Sequence, residues 1–288
     1  MKHLLTYFLV MLLFYSCSSK STEYLIAGSG FKKIVKIDRS GNILWSHGLG
    51  HKQECNSVAS IGDGKVLYAY KQGAKVINSN HQTLWEYQAP EGSEVQSAIM
   101  LANGNYLIGQ CGNPSMIFEF DSEGKKLHEV SFDSGIKKAH AQFRRVEKTA
   151  HGTYLVGLLK SRRVLEIDEQ GNIIKDFKVE AKPFSVEPLK NGNWLVSGGD
   201  LHNILEIDSR TGEPVLEIKD GELDIPLRFV AQIIEKKNGN KLICNWGGHA
   251  KGQSKVAQLL EINPQQEIVW SFADSVEVGN ISAVDIVM

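Results

Sequence analysis

Nine histidines are spread through the 288 residues, and four of them stand among other groups able to do chemistry. His51, His140, His202 and His249 lie in irregular polar stretches with Glu54, Gln142, Arg144, Glu187, Asp200 and Arg228. An imidazole can take a proton or hold a divalent metal, and a guanidinium fork clamps a carboxylate or sulfate. Arg144-Arg145 and Arg162-Arg163 add two local concentrations of positive charge. Asn245-Trp246-Gly247-Gly248 places an aromatic ring on a glycine-flanked stretch, where it can stack on a sugar or another planar ligand. Polar loops collect such side chains by default, so their meaning depends on whether the fold gathers them.

The elements that must position them come from repetition. Ile-Asp or Ile-Asn, a turn and an apolar run recur six times, from Ile37-Asp38, Ile77-Asn78, Phe120-Asp121, Ile167-Asp168, Ile207-Asp208 and Ile262-Asn263. Three of these runs end at Trp45, Trp85 and Trp270. A second signal interlocks with the first: Asp63-Gly64, Asn103-Gly104, His151-Gly152, Asn191-Gly192 and Asn238-Gly239 each precede a β-rich run. Asn-Gly and Asp-Gly pairs predict tight type I′ hairpin turns. Each unit of about forty residues therefore reads as four short antiparallel strands A to D, the blade of a β-propeller.

The equivalent strand-B leucines, Leu25, Leu67, Leu107, Leu155, Leu195 and Leu242, predict six blades. No strand A precedes Leu25, while the tail from Ile281 to Val287 is β-rich with no blade to follow. The fold class expected is all-β, a six-bladed propeller closed by the C-terminal strand joining the N-terminal blade, which removes free sheet edges. In that topology the A–B and C–D turns share one face, and the B–C loops and blade-to-blade connections share the other. The second face receives His51, His140, His202 and His249, with the Trp45, Trp85 and Trp270 rings left to dock blades together. His47, His81, His128 and His151 fall in turns or strand D and read as structural.

Residues 1–16 have the layout of a signal peptide, and Cys17 follows a small residue at the end of the apolar core. This resembles a bacterial lipobox, although Phe14 stands where leucine is usual. The resemblance implies lipidation of Cys17, a tether over 17–22 and export to the envelope with an outer-membrane anchor, which leaves the propeller over 23–288. The net charge of −1 gives no basic face for nucleic acid, and a monomer is expected. Cys55, Cys111 and Cys244 show no zinc spacing. Cys55 and Cys111 fall on adjacent blades, a placement open to a disulfide, but the odd count reads as three buried free thiols.

The Asp38-Gly41-Trp45 stretch resembles the tryptophan-docking repeat of quinoprotein (PQQ)-like propellers, and the Asn-Gly runs resemble repeats of arylsulfotransferase-type propellers. The likeness covers packing residues only; the cofactor site and the nucleophile of those enzymes have no counterpart here, so no cofactor is expected. Two functions follow. The first is an envelope-anchored binding module holding a glycan or protein through His51, Glu54, Gln142, Arg144, Glu187, Asp200, Asn245, Trp246 and His249. The second is a carbohydrate-active enzyme, a polysaccharide lyase on an acidic sugar, with His140, His202 and Arg228 as catalytic candidates and a divalent metal possible between histidines. Convergence of the histidines would favour the lyase, and their dispersal the binder.

Overall fold

The structure is a computed structural model that describes residues 22–28, 32–50, 54–247, 256–273 and 279–287. The described strands form six four-stranded antiparallel sheets. Blade one holds β1 (Glu23–Ala27), β2 (Lys33–Asp38) and β3 (Ile43–Gly48). Blade two follows with β4 (Ser57–Ser60), β5 (Val66–Tyr70), β6 (Gly73–Ile77) and β7 (Thr83–Gln88). Blade three is β8 (Glu94–Met100), β9 (Tyr106–Cys111), β10 (Ser115–Phe120) and β11 (Lys126–Phe132). Blade four is β12 (Val146–Lys148), β13 (Tyr154–Leu158), β14 (Arg163–Ile167) and β15 (Ile173–Lys178). Blade five is β16 (Val186–Pro188), β17 (Trp194–Ser197), β18 (Asn203–Ile207) and β19 (Pro214–Lys219). Blade six is β20 (Phe229–Glu235), β21 (Lys241–Trp246), β22 (Leu259–Ile262) and β23 (Ile268–Phe272).

The last strand, β24 (Ala283–Val287), pairs antiparallel with β1 in the register Tyr24↔Ile286 and Ala27↔Ala283. The expected closure is therefore present, and blade one takes its innermost strand from the other end of the chain. The strand-B leucines are all buried, because each B strand is covered by sheets on both faces. Outer strands such as β3, β7 and β15 alternate exposed with half-buried residues.

Side chains rather than backbone alone lock the blades. Trp45 Nε1 donates to the Ser79 carbonyl, Trp85 Nε1 to Gly124 and Trp270 Nε1 to Arg39, each on the C–D turn of the next blade. His128 occupies the same place in blade three, with Nε2 3.1 Å from the Glu169 carbonyl of blade four. Within four blades a buried glutamate before the Ile-Asp pair holds the A–B turn: Glu119 accepts from Asn105, Glu166 from Thr153, Glu206 from Asn193 and Glu261 from Asn240. Such carboxylates must be paired to be buried at all.

The A–B turns correct one expectation. In blades three to six the glycine of the turn alone has positive φ, and its N–H returns to a carbonyl three residues back, as Gly104 does to Leu101. That is a three-residue loop with a left-handed glycine, not a type I′ turn. Only blade two has the latter, with Asp63 at φ +51° and Gly64 at +69°.

Candidate ligand-binding site at the channel mouth

Each innermost strand starts at one face and runs down the central channel, so the residues just before it ring the mouth. Glu54 and Asn56 precede or open β4; His140, Ala141 and Arg144 precede β12; Lys182 and Phe184 precede β16; Phe229 opens β20; and Ser282 precedes β24. With Leu159, Lys160 and Trp246 from the ends of B strands, they line a cavity of about 470 Å³. Part of its lining is aromatic: Phe229 packs edge-on against Phe184 at 5.0 Å and against Trp246 at 4.7 Å.

Arg144 is the unusual member. It is 5% exposed, and among the described residues no carboxylate pairs with it. One guanidinium nitrogen donates to the carbonyls of His140 (2.9 Å) and Phe143 (3.0 Å), and the other lies 3.1 Å from His140 Nε2. Among the described residues its Nε has no partner, and the guanidinium sits 5.3 Å over the Phe184 ring. Burial pulls its pKa below the usual value, partly offset by Cys111, Glu54 and Glu94. A buried cation held by neutral acceptors is costly, and it gains from any anion that enters the cavity.

His140 is fixed from both sides. Arginine can only donate, so Nε2 must accept, and the ring proton sits on Nδ1, which gives 2.8 Å to Glu94 Oε2. Burial raises the Glu94 pKa, but hydrogen bonds from His140 and Lys71 outweigh it and hold the carboxyl at about 2. Glu94 also accepts from Gln96, which meets Asn56 at 3.1 Å, and Asn56 in turn accepts from Ser282. Arg145 donates across the axis to Gln232 at 2.6 Å. These hydrogen bonds link residues of blades two, three, four and six and the segment before β24 around the axis.

Of the residues singled out in the sequence, Glu54, His140, Arg144 and Trp246 line this cavity. Other predicted residues lie elsewhere. Glu187 sits at the opposite end of the channel, in a separate cavity of about 190 Å³ with Arg145, Glu147 and Asp285. Gln142 is wholly buried and braces Gly112, Ser115 and Ile136. Asn245 is likewise a brace, on Arg228, Pro226 and Ala257. His202 contacts the Arg228 carbonyl through Nδ1, and Asp200 pairs with Lys182 at 2.8 Å, so neither histidine nor arginine there converges on His140. The two arginine pairs form no common patch: Arg144 and Arg145 serve different cavities, and Arg163 pairs with Asp176. His51, His249, Cys17 and residues 1–16 lie outside the described residues. Among the described residues no three His, Cys, Asp or Glu side chains are grouped to hold a metal, and Cys55, Cys111 and Cys244 are free and buried.

Sequence reading missed Asn56, Lys160, Lys182, Phe184, Phe229 and Ser282. A repeat alignment on strand A would have found most of them, since they occupy the same place before successive inner strands as Arg144.

Residues 42–267 match the sequence pattern of the Mal s 1 allergenic protein-like family, and the chain belongs to that family. It is 37% identical to a protein of unknown function from Bacteroides caccae, with a TM-score of 0.90 over 93% of this chain and 99% of that one. A streptogramin B lyase is similar in fold, at 14% identity and TM-score 0.62 over 90% of this chain and 82% of that one. So is a catalytically inactive histidine-to-alanine variant of virginiamycin B lyase from Staphylococcus aureus with quinupristin, at 14% identity and TM-score 0.61, covering 90% of this chain and 87% of that one. No curated protein matches the sequence.

Proposed function

We propose that this member of the Mal s 1 allergenic protein-like family is a binding module whose site is the channel-mouth cavity. Its ligand is a small molecule with a flat or ring-shaped face and a carboxylate, an acidic sugar being the class that fits best. The observation carrying this reading is Arg144: a buried guanidinium without an ion-pair partner among the described residues, beside a cavity walled by Phe184, Phe229 and Trp246. The aromatic wall would take the ring face and Arg144, with Lys160 and Lys182 at the rim, the carboxylate. Export and a lipid anchor at Cys17 belong to the same reading and would present the cavity at the envelope.

Two of the fold neighbours are lyases, and His140 with its Glu94 partner has the outline of an oriented base. What speaks for binding instead is that the Nε2 lone pair, which a base needs free, already accepts from Arg144. The test is calorimetric titration of uronate oligosaccharides against their neutral counterparts, with Arg144→Met as control. Selective binding of the acidic series, weakened roughly tenfold or more in the variant, is expected, because a charge-assisted hydrogen bond contributes about 1.5–3 kcal/mol. Equal affinity for both series overturns the ligand class, and new unsaturated sugar ends in the mixture would replace binding with lyase chemistry.

A further inference from the structure

His47 and His81 lie far from the mouth, on the opposite face at the seam between blades one and two, and their Nδ1 atoms are 3.2 Å apart. The turn that carries His81 explains why this contact is unusual. Its N–H bonds the Asn78 carbonyl, and φ is +67°, the left-handed conformation that the equivalent C–D turns assign to Gly41, Gly124, Gly171 and Gly212. A side chain here is disfavoured, though histidine tolerates it better than most residues. Blade two has accepted that cost at a position glycine fills in four other blades, and the ring so placed reaches across the seam to blade one.

The pair is held as well as placed. Trp45, itself anchored to the Ser79 carbonyl, lies 5.4 Å from the His81 ring and within 20° of its plane, and Tyr68 flanks His47 at 5.9 Å. The two imidazole planes differ by only 23° with centroids 5.3 Å apart, so they meet edge to edge with both Nδ1 lone pairs in nearly one plane. That is the arrangement a shared metal needs. With metal–nitrogen bonds of 2.0–2.1 Å, two ligands at square or tetrahedral angles stand about 2.9–3.4 Å apart. The observed spacing falls inside that range.

We infer that His47 and His81 form a two-histidine site, across the seam of blades one and two, for a borderline divalent transition metal. Cu²⁺ binds most tightly, ahead of Ni²⁺ and Zn²⁺, and water fills the remaining positions. Without metal one Nδ1–H donates to the other; on binding, that proton moves to the ring's Nε2, so neither imidazole loses a proton overall. The Lys75 ammonium, a charge felt by His47, lies 3.3 Å from Glu86 Oε1.

The test is Cu²⁺ titration of the full chain carrying no polyhistidine tag, followed by electron paramagnetic resonance, with His81→Gly and His47→Gln as comparisons. The His81→Gly change restores the residue used by other blades, so that variant is expected to fold at least as well as the parent. A signal with two coupled imidazole nitrogens in the parent, and affinity at least roughly tenfold weaker in each variant, is expected. Zn²⁺ should raise the melting temperature of the parent alone. Equal Cu²⁺ affinity in the parent and in either variant, or a single coupled nitrogen in the parent, overturns the site.

Discussion

An arginine can only donate, and that single fact decides what His140 does. Its Nε2 accepts from Arg144 and its Nδ1–H is spent on Glu94, so the imidazole is a spacer carrying the pull of a carboxylate to a guanidinium. Glu94 never reaches the cavity lining, yet it sets the tilt of the ring that Arg144 leans on. Its pKa is held at about 2, below the ordinary 4.5, by the His140 and Lys71 hydrogen bonds acting against burial. A depressed folded-state pKa stabilises the fold above the unfolded value and ceases to do so as pH falls through the folded one. Glu94→Gln should therefore lower the melting temperature at about pH 6 and converge with the parent as pH approaches about 2. The same variant should weaken ligand binding although it removes no ligand contact. A melting curve unaffected at every pH would show that the hydrogen bonds to Glu94 carry no net stability.

At the level of strands and turns, two glycines with one conformation separate backbone from packing. Gly104 (φ +87°) and Gly124 (φ +85°) both occupy left-handed turn positions. A methyl group on Gly104 meets nothing within 4 Å, while one on Gly124 would fall inside the indole of Trp85, which is bonded to the Gly124 carbonyl. Gly104→Ala should cost about 1 kcal/mol for the left-handed backbone. Gly124→Ala adds overpacking and should cost about 3 kcal/mol in denaturant unfolding. Equal costs would mean that the tryptophan seam yields freely and docks nothing. These elements were legible because each blade repeats its turn and its docking residue, and even His128 can be recognised as the blade-three substitute for tryptophan. The A–B turn type was not, since Asn-Gly suits both a two-residue and a three-residue loop and only the ladder register decides between them.

Over the whole molecule, closure through β24 completes the ring of blades, and two cavities with unlike linings lie along it. Which face a residue occupies could be read from strand direction; how deep it sits along the axis could not. Arg144 and Arg145 are neighbours just before β12, yet Arg144 lines the upper cavity and Arg145 the lower, although the sequence shows only a pair. Glu187, on β16, lies three residues beyond Phe184 of the upper cavity and lines the other one. There it joins Glu147 and Asp285 around a single arginine. Burial, then the neighbouring acid Asp285, lifts Glu147 to about 7 against the attraction of Arg145; burial and Glu147 raise Glu187; and burial raises Asp285 despite the hydrogen bond from Ser60. Each folded pKa exceeds its unfolded value, so the native state binds more protons and loses stability as pH rises through about 7. Calorimetry should accordingly find a lower melting temperature at about pH 8 than at about pH 6, with Glu147→Gln and Glu187→Gln each flattening the decline and exceeding the parent at the higher pH. A parent whose melting temperature holds steady across that interval would mean that Arg145 neutralises this end of the channel fully, and that the three carboxyls ionise together without opposing the closed ring.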